Sequence, residues 1–233
     1  MLKESDIKLS IIIPVFNEEA TINLLYEKIK EVMENHYKYN YEVIFIDDGS
    51  TDSSYKILKE ISALDKNIKV FKFLSNKGQH KAIESGFQEA RGEFIITMDG
   101  DMQNDPCDIP NLILKLEEGF EVVCGWRKYR EDTWGKIIKS RIGNYIQSRI
   151  TKIKLHDMAC AMRGYRRYIV KGLTLKSRSE IGLIPYILSK RTNKITEVEV
   201  LHHRRQWGKS KYGFFSTMMG VTFCYMSKII KRN

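Results

Sequence analysis

Five short, mostly apolar runs, the first nearly continuous, fix what this chain can fold into: Leu9–Val15, Tyr41–Ile46, Ile68–Leu74, Phe94–Met98 and Phe120–Trp126. A run without polar alternation is buried on both faces, which is how a strand of a parallel sheet reads. Between the runs lie segments of helical spacing. Glu18 to about Asn35 repeats through Ile22, Leu25, Ile29 and Val32, and Ser53–Ala63 and Gly78–Ala90 follow the same rule. Strand and helix in alternation predict an α/β fold: a Rossmann-like, mostly parallel sheet flanked by helices.

Where the runs stop is as informative as where they lie. Three end in polar clusters: Pro14-x-x-Asn17-Glu18, Asp47-Asp48-Gly49-Ser50 and Asp99-Gly100-Asp101. In a parallel sheet these ends share one edge, and ligands bind in the crevice beyond it. Each cluster alone is weak, since Asp-Gly-Ser is a common turn and Asn17 or Ser50 can cap a helix. Three on one edge point to a site. Asp99 and Asp101, one residue apart, repel each other unless a cation lies between them. Gln103 follows with a carboxamide, and oxygen donors of this kind select a hard divalent ion such as Mg2+ or Mn2+. Such an ion clamps a diphosphate, and Asp47 is placed to accept hydrogen bonds from a base or ribose. There is no G-x-x-x-x-G-K-[ST] loop, and the first strand-to-helix turn lacks G-x-G-x-x-G, which argues against a P-loop nucleotidase and a dinucleotide-dependent dehydrogenase.

After Arg127 the pattern changes. Trp134–Lys152 reads as a basic amphipathic helix bearing Lys136, Lys139, Arg141, Arg149 and Lys152. A strand-like Ala159–Tyr165, a helix near Glu180–Ser189 and a strand at Ile195–Leu201 follow. No linker rich in Pro, Gly or Ser interrupts the 233 residues, so one domain over 1–212 is expected, with a helical elaboration at 213–233. The net charge of +10 favours a polyanionic partner, although an AT-rich genome that over-uses Lys would explain much of the excess. Cys107, Cys124, Cys160 and Cys224 show no C-x-x-C spacing and read as reduced thiols of a cytosolic protein. Met1–Asp6 is too charged to open a signal peptide. Phe214–Ile230 is apolar but broken by Ser216, Thr217, Ser227 and Lys228, whereas a spanning helix needs about 20 predominantly apolar residues. Either an ordinary packed helix or one lying in a membrane interface fits it.

The motifs together resemble family 2 glycosyltransferases of the GT-A fold, and within them the group acting on polyprenyl phosphates, related to dolichyl-phosphate mannose synthase and bactoprenol glucosyltransferases. The likeness is carried by Ile12–Glu19, Val43–Asp52, Asn76–Ala82, Asp99–Pro106 and Arg205–Lys211. It implies an inverting, metal-dependent transferase with Mg2+ or Mn2+ on Asp99, Asp101 and Gln103. Pro14, Asn17, Glu18, Asp47, Asp48, Lys77, Asp99 and Gly100 would line the donor pocket for a UDP- or GDP-sugar. Arg205, Ser210 and Lys211 resemble a loop closing over the diphosphate. Arg127, Lys136 and Ser140 resemble positions that meet the acceptor phosphate. Asp157, with Arg163 six residues on, resembles the acceptor-site element, and Asp157, Arg163 and Asp101 are the catalytic candidates. Gly100, Met102 and Lys136 depart from the commoner Ala, Leu and Arg. Many bacterial relatives continue into transmembrane helices, and here the sequence ends at Asn233, as expected of a short or a truncated form.

A lipid phosphate is already an anionic nucleophile at neutral pH, so it needs cationic positioning more than a base. Peripheral attachment to the cytoplasmic membrane face is therefore expected, and nucleic acid is not an expected partner, since no RNA-binding signature or aromatic stacking platform is present. Two other readings stand beside this one: a same-fold transferase acting on a saccharide hydroxyl, with Asp157 as base, and a noncatalytic basic binding module. Without the resemblance, Asp157 reads nearly as well as an N-cap or half of an ion pair. His202 and His203 read as strand-end or surface residues.

Overall fold

Continuous apolar strands can be buried on both faces only if helices cover both. The computed structural model, which describes residues 7–36, 40–129 and 153–204, has that layering. The strands are β1 (Leu9–Val15), β2 (Tyr41–Asp47), β3 (Ile68–Lys72), β4 (Phe94–Thr97), β5 (Val122–Trp126), β6 (Arg163–Arg166) and β7 (Ile195–Glu199). The helices are α1 (Ile22–His36), α2 (Ser54–Leu64), α3 (Gln79–Glu89), α4 (Ile109–Glu117), α5 (Arg167–Val170) and α6 (Ile184–Leu188). All seven strands join one sheet in the order β3-β2-β1-β4-β6-β5-β7.

Successive strand residues point to opposite faces. Ile11, Ile13, Val43, Phe45 and Ile96 therefore join one core with Leu25 and Ile29 of α1 and Leu112 and Leu116 of α4. Ile12, Ile44, Ile46 and Ile95 join the other with Ala82, Ile83 and Phe87 of α3. Helix α4 and the 3-10 turn Pro106–Asp108 before it are not among the predicted elements. Their signal was there to read: Asp105 accepts from the Cys107 amide at 3.0 Å ahead of Pro106, and Ile109, Leu112, Ile113 and Leu116 keep helical spacing.

Strand β6 departs from the parallel pattern. It runs antiparallel to both neighbours, β4 and β5, while every other pairing is parallel. Predicted as Ala159–Tyr165, it begins four residues later, at Arg163. The start of an antiparallel strand lies beside the ends of its parallel neighbours, and Arg163 is in register with Thr97 and Cys124. The segment ahead of it, Asp157–Met162, is thereby delivered to the same edge as the ends of β1, β2 and β4.

Pro14 is tolerated inside β1 for a local reason. Ile12 O accepts from Met98 N at 3.2 Å, so Ile12 and Pro14 share the side facing β4. The β1–β4 register ends at Ile12↔Thr97, and the missing N–H of Pro14 costs no ladder bond. Gly49 is less replaceable. Its φ is +75°, and a Cβ there would lie 2.7 Å from the backbone at Ser75 and Asn76. Gly49→Ala is expected to destabilise the protein by about 2 kcal/mol or more, measured by urea unfolding.

The opposite edge of the sheet is a paired, buried cluster. The Glu42 carboxylate, 2% exposed, accepts from Ser10 Oγ at 2.7 Å and Arg91 N at 2.8 Å, and Lys69 Nζ lies 2.6 Å away. Burial pushes its pKa up, but the bonds from Lys69, Arg91 and Ser10 outweigh burial and hold it below the usual carboxylate value. Among the described residues no helix is long and apolar enough to cross a membrane.

Candidate active site

The loops after β1 and β2 are tied into one floor. Asn17, at φ +53°, donates its amide to Ser50 Oγ at 2.9 Å, and its side-chain oxygen accepts from Thr51 N at 2.8 Å. The Glu18 amide donates to Ser54 Oγ at 2.8 Å. Asn17 and Glu18 thus tie the two loops together through bonds that span 33–36 residues of chain. Thr21, a residue without a predicted role, is 1% exposed and joins this floor to the third cluster, donating its hydroxyl to Gly100 O at 2.8 Å.

Asp47 and Asp48 do different work. Both oxygens of Asp48 are engaged: Oδ1 accepts from Lys77 N at 2.7 Å and Oδ2 from Gly78 N at 2.9 Å. Burial raises its pKa, only partly countered by these two amides. Asp48 is therefore a strut under the 75–78 loop. The exposed Lys77 ammonium lies 5.1 Å from the Phe73 ring centre. Asp47 is fully buried, and its Oδ1 accepts from Ser50 N at 3.1 Å. Its Oδ2 is buried with no hydrogen-bond partner among the described residues. A buried carboxylate oxygen without a donor is expensive.

The third cluster carries backbone strain. Met102 has φ +61°, a left-handed conformation that side chains other than Gly, Asn and Asp rarely adopt. The turn is held by Asp101 Oδ1, which accepts from Gln103 N at 3.1 Å. Asp99 Oδ1 accepts from Gln79 Nε2 at 2.7 Å. Burial and then the nearby Asp101 charge push the Asp99 pKa up to about 7, while Arg127, Arg178 and Arg163 pull it down. Arg178, in the 3-10 turn Arg178–Glu180, had no predicted role. Two carboxylates this close repel each other and suit a divalent cation. Among the described residues no third His, Cys, Asp or Glu completes a metal cluster with them. Gln103 supplies the remaining donor of the predicted set. Its Nε2 is directed at His203 O at 3.4 Å, which leaves Oε1 as the atom able to meet a metal.

The strand end after β7 locks this loop. His203 N donates to Gln103 O at 2.9 Å, and His203 Nε2 lies 2.7 Å from Asp105 Oδ2. Leu201 N donates to Asp108 Oδ2 at 2.7 Å, and His202 bridges Asn104. Both follow the end of β7, as strand-end residues do; His202 is 7% exposed, and His203 is partly exposed and bonded to Asp105.

Arg127 and Asp157 face each other. Arg127 Nε and Nη2 donate to Asp157 Oδ2 and Oδ1 at 2.6 and 3.0 Å, a bidentate pair with side chains 12% and 4% exposed. Asp157 also accepts from Ala159 N at 3.1 Å. Asp157 is one half of an ion pair, and the pair is largely buried rather than on the surface. Arg163, expected among the catalytic groups, is 1% exposed, and its guanidinium donates to Met158 O and Ile181 O, each at 2.7 Å. It clamps the segments bearing Asp157 and Arg178, and its charge acts on Asp99. Lys136, Ser140, Arg205, Ser210, Lys211 and the 213–233 segment lie outside the described residues.

The same fold occurs in solved transferases. Glucosyl-3-phosphoglycerate synthase from Mycobacterium tuberculosis, crystallised with Mn2+, UDP and phosphoglyceric acid, aligns with a TM-score of 0.71 at 18% identity, covering 94% of this chain and 78% of that one. S. aureus TarS 1–349 in complex with UDP-GlcNAc gives 0.66 at 20%, over 96% and 67%. Sequence relatives are nearer. Undecaprenyl-phosphate 4-deoxy-4-formamido-L-arabinose transferase of Proteus mirabilis is 37% identical over 209 residues, which are 89% of this chain and 63% of the relative. Dodecaprenyl-phosphate galacturonate synthase of Rhizobium johnstonii is 36% identical over 221 residues, 91% of this chain and 63% of that one. The chain thus spans a little under two thirds of the length of these relatives. Residues 10–174, which hold all three strand-end clusters, the Arg127–Asp157 pair and Arg163, match the family model for glycosyl transferase family 2. With that match, the strand ends of this sheet place the chain in glycosyl transferase family 2.

Proposed function

We propose that this chain transfers a sugar, with inversion, from a nucleotide diphosphate donor to a polyprenyl phosphate at the cytoplasmic membrane face. The observation that carries the reading is Asp47: a buried carboxylate oxygen without a donor, on the sheet edge that also holds Asp99 and Asp101. A nucleotide base or ribose supplies the N–H or O–H that this oxygen lacks. A UDP- or a GDP-sugar meets the requirement, since uracil and guanine each present an N–H. Asp99, Asp101 and Gln103 would hold Mg2+ or Mn2+, which when bound acts as a Lewis acid on the leaving diphosphate.

The acceptor class is supported by the names of the relatives and by the state of Asp157. A saccharide hydroxyl needs a base to take its proton. Asp157 is committed to a bidentate arginine and is poorly placed to be that base. A lipid phosphate arrives ionised and needs positive charge and hydrogen-bond donors near it, for which Arg127 and Lys136, with the Ser140 hydroxyl, are proposed. Arg205, Ser210 and Lys211 are proposed for the donor diphosphate. The 213–233 segment, apolar with Lys228, Lys231 and Arg232 beside it, is the proposed interfacial contact.

The test is incubation with labelled UDP- or GDP-sugars and either undecaprenyl phosphate or a saccharide. A butanol-soluble labelled product formed only with the lipid is the expected result, and product only with the saccharide would reverse the acceptor assignment. Asp47→Asn keeps an acceptor for Ser50 N but can turn the open acceptor into a donor. It is expected to raise the donor KM about tenfold or more with little change in Tm. Steady-state kinetics with varied donor checks it.

A further inference from the structure

We propose that Gln79 is a positioning residue: its side-chain amide fixes the orientation of the Asp99 carboxylate and so prepares it for a divalent cation. This rests on the metal reading above and adds a residue to it.

The placement of Gln79 is built from the backbone outward. It is the first residue of α3, and the turn ahead of it is pinned from below, because Asp48 at the end of β2 takes the amides of Lys77 and Gly78. Gly78 adopts φ +92°, the left-handed region, which lets the chain pass from that turn into the helix. From this fixed start Gln79 Nε2 reaches Asp99 Oδ1 at 2.7 Å. The donor pocket and the metal carboxylates are thus joined by one short chain of contacts: Asp48, the 77–78 amides, Gln79, Asp99.

The chemistry explains why an amide stands there. Gln79 Nε2 is an uncharged donor 2.7 Å from Asp99 Oδ1. A neutral donor stabilises the ionised carboxylate and fixes its rotamer without adding a cation that would compete with the metal. It occupies Oδ1 and leaves Oδ2 to the ion. Partners of metal ligands act in this way, and their loss typically costs about 10–100-fold in metal affinity.

The test compares Mn2+ binding by wild type, Gln79→Ala, Gln79→Met and Lys81→Ala, read from the EPR signal of free Mn2+ with UDP present and, in a parallel series, GDP. Lys81 lies on the same helix and pairs with Glu84. Gln79→Met keeps the approximate shape but removes the donor. Both Gln79 variants are expected to bind Mn2+ about tenfold or more weakly, with unchanged Tm, while Lys81→Ala stays within about twofold of wild type. Wild-type affinity in both Gln79 variants overturns the proposal. So does a loss confined to Gln79→Ala, or a loss that comes with unfolding in both, since either makes packing the cause. Failure of wild type itself to bind Mn2+ overturns the metal reading and this inference with it.

Discussion

Asp101→Ala is expected to abolish sugar transfer, by about a thousandfold or more, the scale of losing the cation that stabilises a leaving diphosphate. The residue does two things at once. In the proposed reading it would share the cation with Asp99, and its Oδ1 holds the Gln103 amide across the left-handed Met102 turn. Alanine removes both, and that turn stores strain of order 1–3 kcal/mol which the carboxylate helps to hold. Asp101→Asn separates them, because an amide oxygen can still accept from Gln103 N while the charge is gone. Transfer should be nearly as impaired in the asparagine variant, with Mn2+ binding lost and Tm closer to wild type than in the alanine variant. Labelled-product formation, Mn2+ titration and thermal unfolding of the two variants check it. Wild-type turnover in either would overturn the assignment of the metal to this carboxylate.

Arg127→Ala is expected to destabilise the fold by about 3–5 kcal/mol, because it strands a buried carboxylate without its cation. Asp157→Ala should cost a similar amount by stranding the guanidinium. The double variant should recover much of the loss, since removing both charges removes the desolvation penalty of each. A double-mutant cycle by urea unfolding measures the coupling. Activity separates this from a catalytic-base role. If Asp157 works by holding Arg127 towards an acceptor phosphate, transfer by Asp157→Asn falls mainly through a raised acceptor KM. A base would lower kcat at saturating acceptor and give a pH profile that the variant loses.

Much of the fold was legible because burial on both faces leaves a mark that needs no partner to be read. Continuous runs such as Ile11-Ile12-Ile13 and Ile44-Phe45-Ile46 have few other homes than a parallel sheet. The carboxylates were legible for the same reason: a buried strand that stops at Asp47-Asp48 or Asp99-Gly100-Asp101 spends charge at a place where charge is costly. Strand β6 was harder. Arg163-Gly164-Tyr165-Arg166 carries two charges, and its burial is secured by carbonyls of Met158 and Ile181 that lie distant in chain or off the strand.

Side-chain roles divide along the same line. The separation of Asp47 from Asp48 could not be read, since two adjacent aspartates look alike until one is seen to hold the 77–78 amides and the other an unmet oxygen. Gln79 and Thr21 were passed over because each acts on a partner 20 and 79 positions away. His203 meets Asp105 across 98.

By itself, then, the amino-acid order determined the layers of the sheet, the edge where chemistry gathers and the oxygen donors available for a cation, because these follow from periodicity and from the cost of burying charge. Only the tertiary structure decided that Arg127 and Asp157 are partners, that Arg163 is a buried clamp and that Gln79 steadies Asp99. Those outcomes depend on which distant groups the folded chain brings within about 3 Å, and hydrogen bonds fall away too steeply with distance and angle for sequence spacing to fix them.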